Sequence, residues 1–226
     1  MSAVLMVLIG ALLMARMPRH QPRSGLTYPQ IVGSMLGLVR DLPVLRQRAA
    51  FQCLMFGAFT LFWTAAPLML AERFGLSQQG IALFALAGVG GAVAAPFAGR
   101  LADRGWVRGA TVGAMLILAL CFAGTIWAVA TPALIVLTVL AVLIDAAVQT
   151  NQVVSQRVIF ALAPEVRGRV NAIYMTSAFF GGAIGSVVAT VTYHWGGWSA
   201  TGATGAGLGA VALLLSLTER RDSSPA

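Results

Sequence analysis

Asp145 is the one acidic residue well inside a long apolar run of this 226-residue chain. A carboxylate in hydrocarbon is costly, so an acid at that depth should face protein or water and be present for its chemistry. The chemistry open to it is proton exchange, in which the carboxyl group gains and loses a proton as its surroundings alternate. Gln149, Gln152 and Gln156 follow at i+4, i+7 and i+11, which draws one polar stripe down a helix face. The same acid could instead be structural, hydrogen-bonded to a neighbouring helix. On an earlier run Gln52, Phe56, Thr60 and Trp63 share a helical face, with Thr64 beside it. As the wall of a cavity they could hold an amphipathic small molecule by stacking and a few hydrogen bonds. Equally, the Trp could pack within a bundle and the Thr could bond back to its own helix.

The elements that position these residues must cross a membrane. Apolar residues make up 58% of the chain and charged residues only 10%, against about 25% charged in a soluble domain. Six stretches are long enough to cross a hydrocarbon core of about 30 Å, near 49–71, 78–99, 109–130, 133–155, 169–192 and 198–217. All fifteen basic residues are Arg, and they alternate by connection. Arg16, Arg19, Arg23, Arg40, Arg46 and Arg48 precede the first full span; Arg100, Arg104 and Arg108, then Arg157, Arg167 and Arg169, then Arg220 and Arg221 share its side, and only Arg73 lies on the other. By the positive-inside rule the Arg-rich side, including the C-terminal tail, is cytoplasmic, as expected of a multi-pass protein of a bacterial inner membrane.

Other functions find little support. The isoelectric point near 11.2 comes from Arg dispersed over helix ends, with no basic stripe or aromatic platform for nucleic acid. Cys53 and Cys121 lie on different spans and form no CxxC, so neither a disulfide framework nor a metal site is expected. His20 and His194 are isolated, and no GxSxG or Walker loop is present, so no enzyme chemistry and no cofactor are expected.

Residues 2–15 form a shorter run that reaches only about 22 Å as a helix. With no basic residue before it and Arg16 after it, segment 1–16 reads as a transmembrane helix whose beginning is missing, so the chain is expected to be a fragment or a truncated reading frame. Residues 17–48 form a polar, Pro-containing connection, 49–217 the six-helix unit and 218–226 a cytoplasmic tail. Ile31, Met35, Leu38, Leu42 and Leu45 fall at helical spacing, as in an amphipathic segment over Tyr28 to Leu45 lying on the membrane surface; a linker interrupted at Pro43 fits as well. The second span carries Ala87, Gly91, Ala95 and Gly99 four apart, and the fifth carries Ser177, Gly181, Gly185 and Ala189. Such ladders let helices approach closely, either within the unit or against a partner unit, and their separation by three helices hints at a three-plus-three inverted repeat of the kind secondary transporters use.

The connection after the second span reads Gly99-Arg100-Leu101-Ala102-Asp103-Arg104-Gly105-Trp106-Val107-Arg108. It resembles the G-x-L-A-D-R-x-G-R-R loop of the major facilitator superfamily, with Trp106 and Val107 in place of the second Gly and the first Arg. Pro164-Glu165-Val166-Arg167-Gly168-Arg169 is similar to the P-E-x-R-G-R turn before that family's eleventh helix. The resemblance covers nearly the whole chain as the end of helix six, the central loop and helices seven to twelve, closest to bacterial drug and sugar efflux members. It implies an all-α integral membrane fold of six complete transmembrane helices plus a truncated N-terminal one. It also implies export of a small organic molecule by alternating access, as an antiporter, with the partner being a separate N-terminal six-helix half or a second copy; the coupling ion is read by exclusion instead, since no ATP-binding motif is present and the lone acid Asp145 suits protons, with sodium the open alternative. Helices seven and ten line the central cavity in that family, and Asp145 falls on the apparent helix ten. By the same resemblance Gly99, Asp103, Arg104, Arg108, Arg157, Glu165 and Arg167 form a cytoplasmic gate in which Asp103 pairs with Arg157 or caps a neighbouring helix. Most of these Arg residues could equally serve only as topology anchors, and the unit could be a membrane scaffold, a partner subunit or an inactive remnant.

Overall fold

The computed structural model describes residues 6–7, 9–10, 12–14 and 27–218. Most of the 2–15 run, the early part of the connection with His20, and the C-terminal tail lie outside the described residues. The chain divides into a unit of Met1–Ser34 and one of Met35–Ala226. The described residues of 6–14 are helical. Helix α1 spans Tyr28–Asp41 and opens with a capping interaction in which Thr27 N donates to Gln30 Oε1. It ends because Leu42 precedes Pro43, and the proline ring pushes the residue before it out of helical conformation (φ −109°, ψ 88°).

The expected amphipathic segment is therefore two helices. Leu45 belongs to α2, Pro43–Phe74, where it is fully buried with Ile159, Val170 and Tyr174, and Leu38 and Leu42 pack against that cluster. Arg46 reaches back to cap the open end of α1, its Nη1 donating to the carbonyls of Val39 and Arg40.

Among the described residues five helices are long and apolar enough to cross a membrane. After α2 come α3, Gln78–Gly88, a five-residue 3₁₀ turn over Val89–Val93 and α4, Ala94–Asp103, which together make one span. Helices α5, Val107–Ala130, and α6, Leu134–Leu162, follow, and a 3₁₀ turn over Pro164–Val166 leads into α7, Arg167–Leu217. At 1.5 Å per residue the 51 residues of α7 would extend about 76 Å, far more than one bilayer crossing. Gly196 and Gly197 leave helical geometry, Gly197 at φ 59°, and the chain folds back there. Thr192 Oγ1 lies 3.2 Å from Thr201 Oγ1, a distance no straight helix allows nine residues apart. The fifth helix is thus two limbs, 167–195 and 198–217, which restores six crossings joined by short connections. Because the crossings alternate, α2 starts at the Arg-rich end and α6 at the opposite end, so the two successive triplets have opposite topology.

The centre of the bundle is aromatic. Phe62 meets Trp63, Phe122 and Trp198 edge-on, with centroids 5.3, 6.1 and 5.5 Å away, and so joins α2, α5 and the second limb of α7. Small residues bring the backbones together around it. A Cβ at Gly205 would lie 2.2 Å from the Phe122 ring, and one at Gly181 only 2.1 Å from the Cys53 carbonyl oxygen. Both small-residue ladders are filled from within this chain: Gly91 sits on Asp145, Gly99 beside Arg157, Gly181 on Cys53 and Gly185 on Gly57. Ser177 Oγ donates to the Ala49 carbonyl at 3.0 Å on the same seam. At Gly91, Gly181 and Gly185 the within-unit packing is realised, because a neighbour of the same unit already occupies the space a Cβ would take.

Candidate functional site

Asp145 lies half-buried near the middle of α6, with its carboxylate turned toward α2. Trp63 Nε1 donates to Asp145 Oδ1 at 2.9 Å. The opposite wall is glycine: a Cβ at Gly88 would stand 2.7 Å from Asp145 Oδ2, and one at Gly91 would stand 2.3 Å from Asp145 Cβ. The niche falls where α3 gives way to the 3₁₀ turn, whose tighter winding and bare glycines let α6 come close. Trp63 is held in turn by Phe62, by Phe84 at 6.0 Å and by Phe59 at 6.5 Å between centroids. One turn beyond it, Pro67 supplies no N–H to the Trp63 carbonyl, so α2 is locally weakened beside the acid.

The rest of the stripe on α6 leads from this niche toward the Arg-rich end. Gln149, Gln152 and Gln156 are half-buried; Gln156 reaches Asn171 at 3.4 Å, and Gln152 lies 3.5 Å from Gln52. On α2, Thr60 Oγ1 donates across to the Gly182 carbonyl at 2.8 Å, close to its own Phe56 and Gly57 carbonyls as well. Thr64 meets Ser186 at 3.1 Å, and Phe56 stacks on Phe59 and meets the Phe179 edge. Gln52 is fully buried and committed to neighbours: its Oε1 accepts from Asn151 Nδ2 at 2.8 Å and from the Tyr174 hydroxyl at 3.0 Å.

Sequence reasoning missed Asn151, Ser155, Tyr174, Thr111 and the burial of Arg48. Arg48 is only 2% exposed, inside α2, and its Nη1 donates to Thr111 Oγ1 at 2.8 Å. Their signal was present: Arg48 and Gln52 stand four apart, as do Asn151 and Ser155, each at one helical repeat. The glutamine stripe on the adjacent face drew attention away from Asn151.

At the Arg-rich surface Arg157 Nη1, from the last turns of α6, pairs with the Asp103 carboxylate at the end of α4, and both side chains are about half exposed. This pair ties two helices of the same unit. The Gly99–Arg108 turn closes through Gly105, at φ 78°, with Trp106 N donating to the Leu101 carbonyl at 3.0 Å. The left-handed position needed for the reversal is thus supplied by Gly105, one residue before the site of the substituted glycine. Arg104, Arg108 and Glu165 are exposed, and Arg167 Nε donates to the Phe160 carbonyl at 3.1 Å, closing the end of α6. The structure therefore joins Asp145 with Trp63, Gln52 with Gln152, and Asp103 with Arg157, as three separate groups down the bundle.

Comparison with known proteins places these groups in context. The family model described as Major Facilitator Superfamily matches residues 48–226. A protein named Uncharacterized transporter YgaY, from Escherichia coli O157:H7, is 37% identical over 215 residues, which cover 95% of this chain and 54% of that protein. One named Probable transporter SCO4007, from Streptomyces coelicolor, is 30% identical over 203 residues, covering 86% of this chain and 45% of its own. The chain spans about half the length of the curated relatives it matches.

Proposed function

The chain belongs to the major facilitator superfamily, and on that premise we propose that it acts as the C-terminal half of a secondary transporter that exports a small organic molecule in exchange for protons. The observation that carries the coupling is the Asp145 niche. A single carboxylate stands at mid-span between α2 and α6, held by an indole N–H and walled by glycine. An N–H donor aimed at the carboxylate is better suited to an acid that exchanges protons than to one that wraps an alkali cation in oxygens. Gln149, Gln152, Thr60 and Trp63 supply the polar and aromatic character for substrate contact, and the Asp103–Arg157 pair braces the Arg-rich end, which the positive-inside rule assigns to the cytoplasm. The other wall of the pathway is a six-helix partner, consistent with relatives about twice as long.

The test is export from a bacterial host lacking its own broad-range drug and sugar exporters, screened with a panel of amphipathic compounds and sugars. Expected is expulsion of at least one compound that stops when the proton gradient is collapsed and is lost in Asp145→Asn. Export that survives Asp145→Asn with its dependence on the gradient intact overturns the coupling role.

A further inference from the structure

We infer that Trp63 is the positioning residue for Asp145, orienting the carboxylate within the glycine niche so that it exchanges its proton with one side of the bundle at a time; the inference rests on the proton-coupling role proposed above. The geometry is specific. The indole nitrogen reaches Oδ1 at 2.9 Å, and a Cβ added at Gly88 would stand 2.7 Å from Asp145 Oδ2 and 2.8 Å from Cζ2 of the same indole. Gly88 therefore touches both members of the pair, and only a residue without a side chain leaves them in contact. The indole is fixed from three directions by Phe59, Phe62 and Phe84, so its N–H is aimed before the carboxylate arrives. The helices on either side of the contact are irregular at that level, α2 above Trp63 at Pro67 and the α3–α4 span at Val89–Val93. Such breaks are where a packed helix can bend. A bend at either one moves Trp63 and the glycine wall relative to α6.

Among the described residues, Trp63 is the side-chain hydrogen-bond partner of Asp145, and the ionisable groups of α6 and the neighbouring elements stand away from it: Arg108, Arg157, Arg167 and Arg169 at the Arg-rich end and His194 exposed at the opposite end. On α2 the nearest are Cys53 and Glu72, each roughly 14 Å from Trp63 along the axis, and on α4 Arg100 stands about as far beyond Gly91. On α5 Cys121 is buried in the core, and on α7 the hydroxyls of Tyr174 and Tyr193 bond Gln52 and Glu72.

The experiment has two arms. The chain, labelled with 5-fluorotryptophan and reconstituted in lipid nanodiscs, gives five fluorine resonances from its five Trp residues. Trp63→Phe assigns one of them by its disappearance. Expected is that this resonance moves with pH in the unsubstituted chain and ceases to move in Asp145→Asn, while the other four keep their behaviour; a Trp63 resonance indifferent to Asp145→Asn overturns the contact. In the transport arm, Trp63→Phe should displace the pH profile of export by about one pH unit, the scale of one hydrogen bond to a charged group, and Trp63→His, which retains a ring N–H, should restore part of the displacement. Export lowered alike at every pH means a structural Trp and overturns the positioning role. The two failures are distinguishable: if Asp145→Asn uncouples export and Trp63→Phe leaves the profile in place, only this inference falls, whereas gradient-dependent export that survives Asp145→Asn removes the role on which it rests.

Discussion

Gly185→Ala should loosen the seam between α2 and the first limb of α7 and destabilise the whole unit. An alanine Cβ at that position would lie 2.1 Å from the Gly57 carbonyl oxygen, 2.6 Å from Thr60 Oγ1 and 2.8 Å from the Gly57 carbonyl carbon. Real Cβ contacts begin above 3.0 Å, and two of these neighbours are backbone, so the helices themselves must part by about 1 Å. Overpacking of this kind costs about 1–3 kcal/mol. Parting the seam also stretches three hydrogen bonds across it, Ser177 to Ala49, Thr60 to Gly182 and Thr64 to Ser186. At about 0.6 kcal/mol for each interhelical bond in a membrane bundle, they add about 2 kcal/mol. The sum is about 3–5 kcal/mol. Gly207→Ala is the matched control, since a Cβ there meets nothing within 4 Å, and alanine in a helix interior is favoured over glycine by about 1 kcal/mol. The assay is unfolding of the purified chain in dodecylmaltoside with increasing SDS, followed by thiol labelling of Cys121, which is buried when folded. Gly185→Ala should expose the thiol at markedly lower SDS and Gly207→Ala at the same or higher SDS. Equal midpoints for the two variants would refute the close approach at Gly185.

Two further outcomes follow from the polar groups. Asp103→Arg and Arg157→Asp should each impair export, and the double exchange should recover it in the same host assay; because both side chains are about half exposed, the folding midpoint should move by less than about 1 kcal/mol in all three variants, and failure of the double exchange to recover export removes a functional role for the pair. Gln52→Leu removes the acceptor shared by Asn151 and Tyr174, both buried, and should lower stability by about 1–3 kcal/mol in the SDS titration; an unchanged midpoint would mean that these groups find other partners.

The parts of this fold legible in the sequence are those set by single helices. Span positions follow from hydropathy, and their alternation from where Arg occurs, because lipid forces every backbone polar group into a helix and leaves length and charge as the readable variables. What escaped depends on rotation of one helix against another. Gly91 and Gly185 belong to ladders readable by their spacing, but whether a ladder faces inside or out is decided by the neighbour, here Asp145 and Gly57. Arg48 reads as an anchor at the end of a connection until Pro43 is seen to start the helix a full turn earlier and carry it inside. Trp63 and Asp145 each stood out, yet 82 residues separate them, and only the crossing of α2 and α6 at the glycine turn makes them one group.

The division of polar groups along α6 bears on which parts of the unit can move. Toward the Arg-rich end Asn151 and Ser155 are fully buried, and Gln52 on α2 and Tyr174 on α7 close around Asn151. Separating these three helices there would break the bonds that Asn151 and Tyr174 donate to Gln52 and leave those groups unpaired in an apolar interior. Around Asp145 the cost of motion is lower: one charge-assisted bond to Trp63 crosses between α6 and α2, the facing wall is glycine, and both adjoining spans are interrupted, at Pro67 and at Val89–Val93. A proton on Asp145 removes the charge that makes the Trp63 bond strong. Charge loss at this carboxylate would therefore weaken the one side-chain bond that joins Asp145 on α6 to Trp63 on α2, beside the interruptions at Pro67 and Val89–Val93.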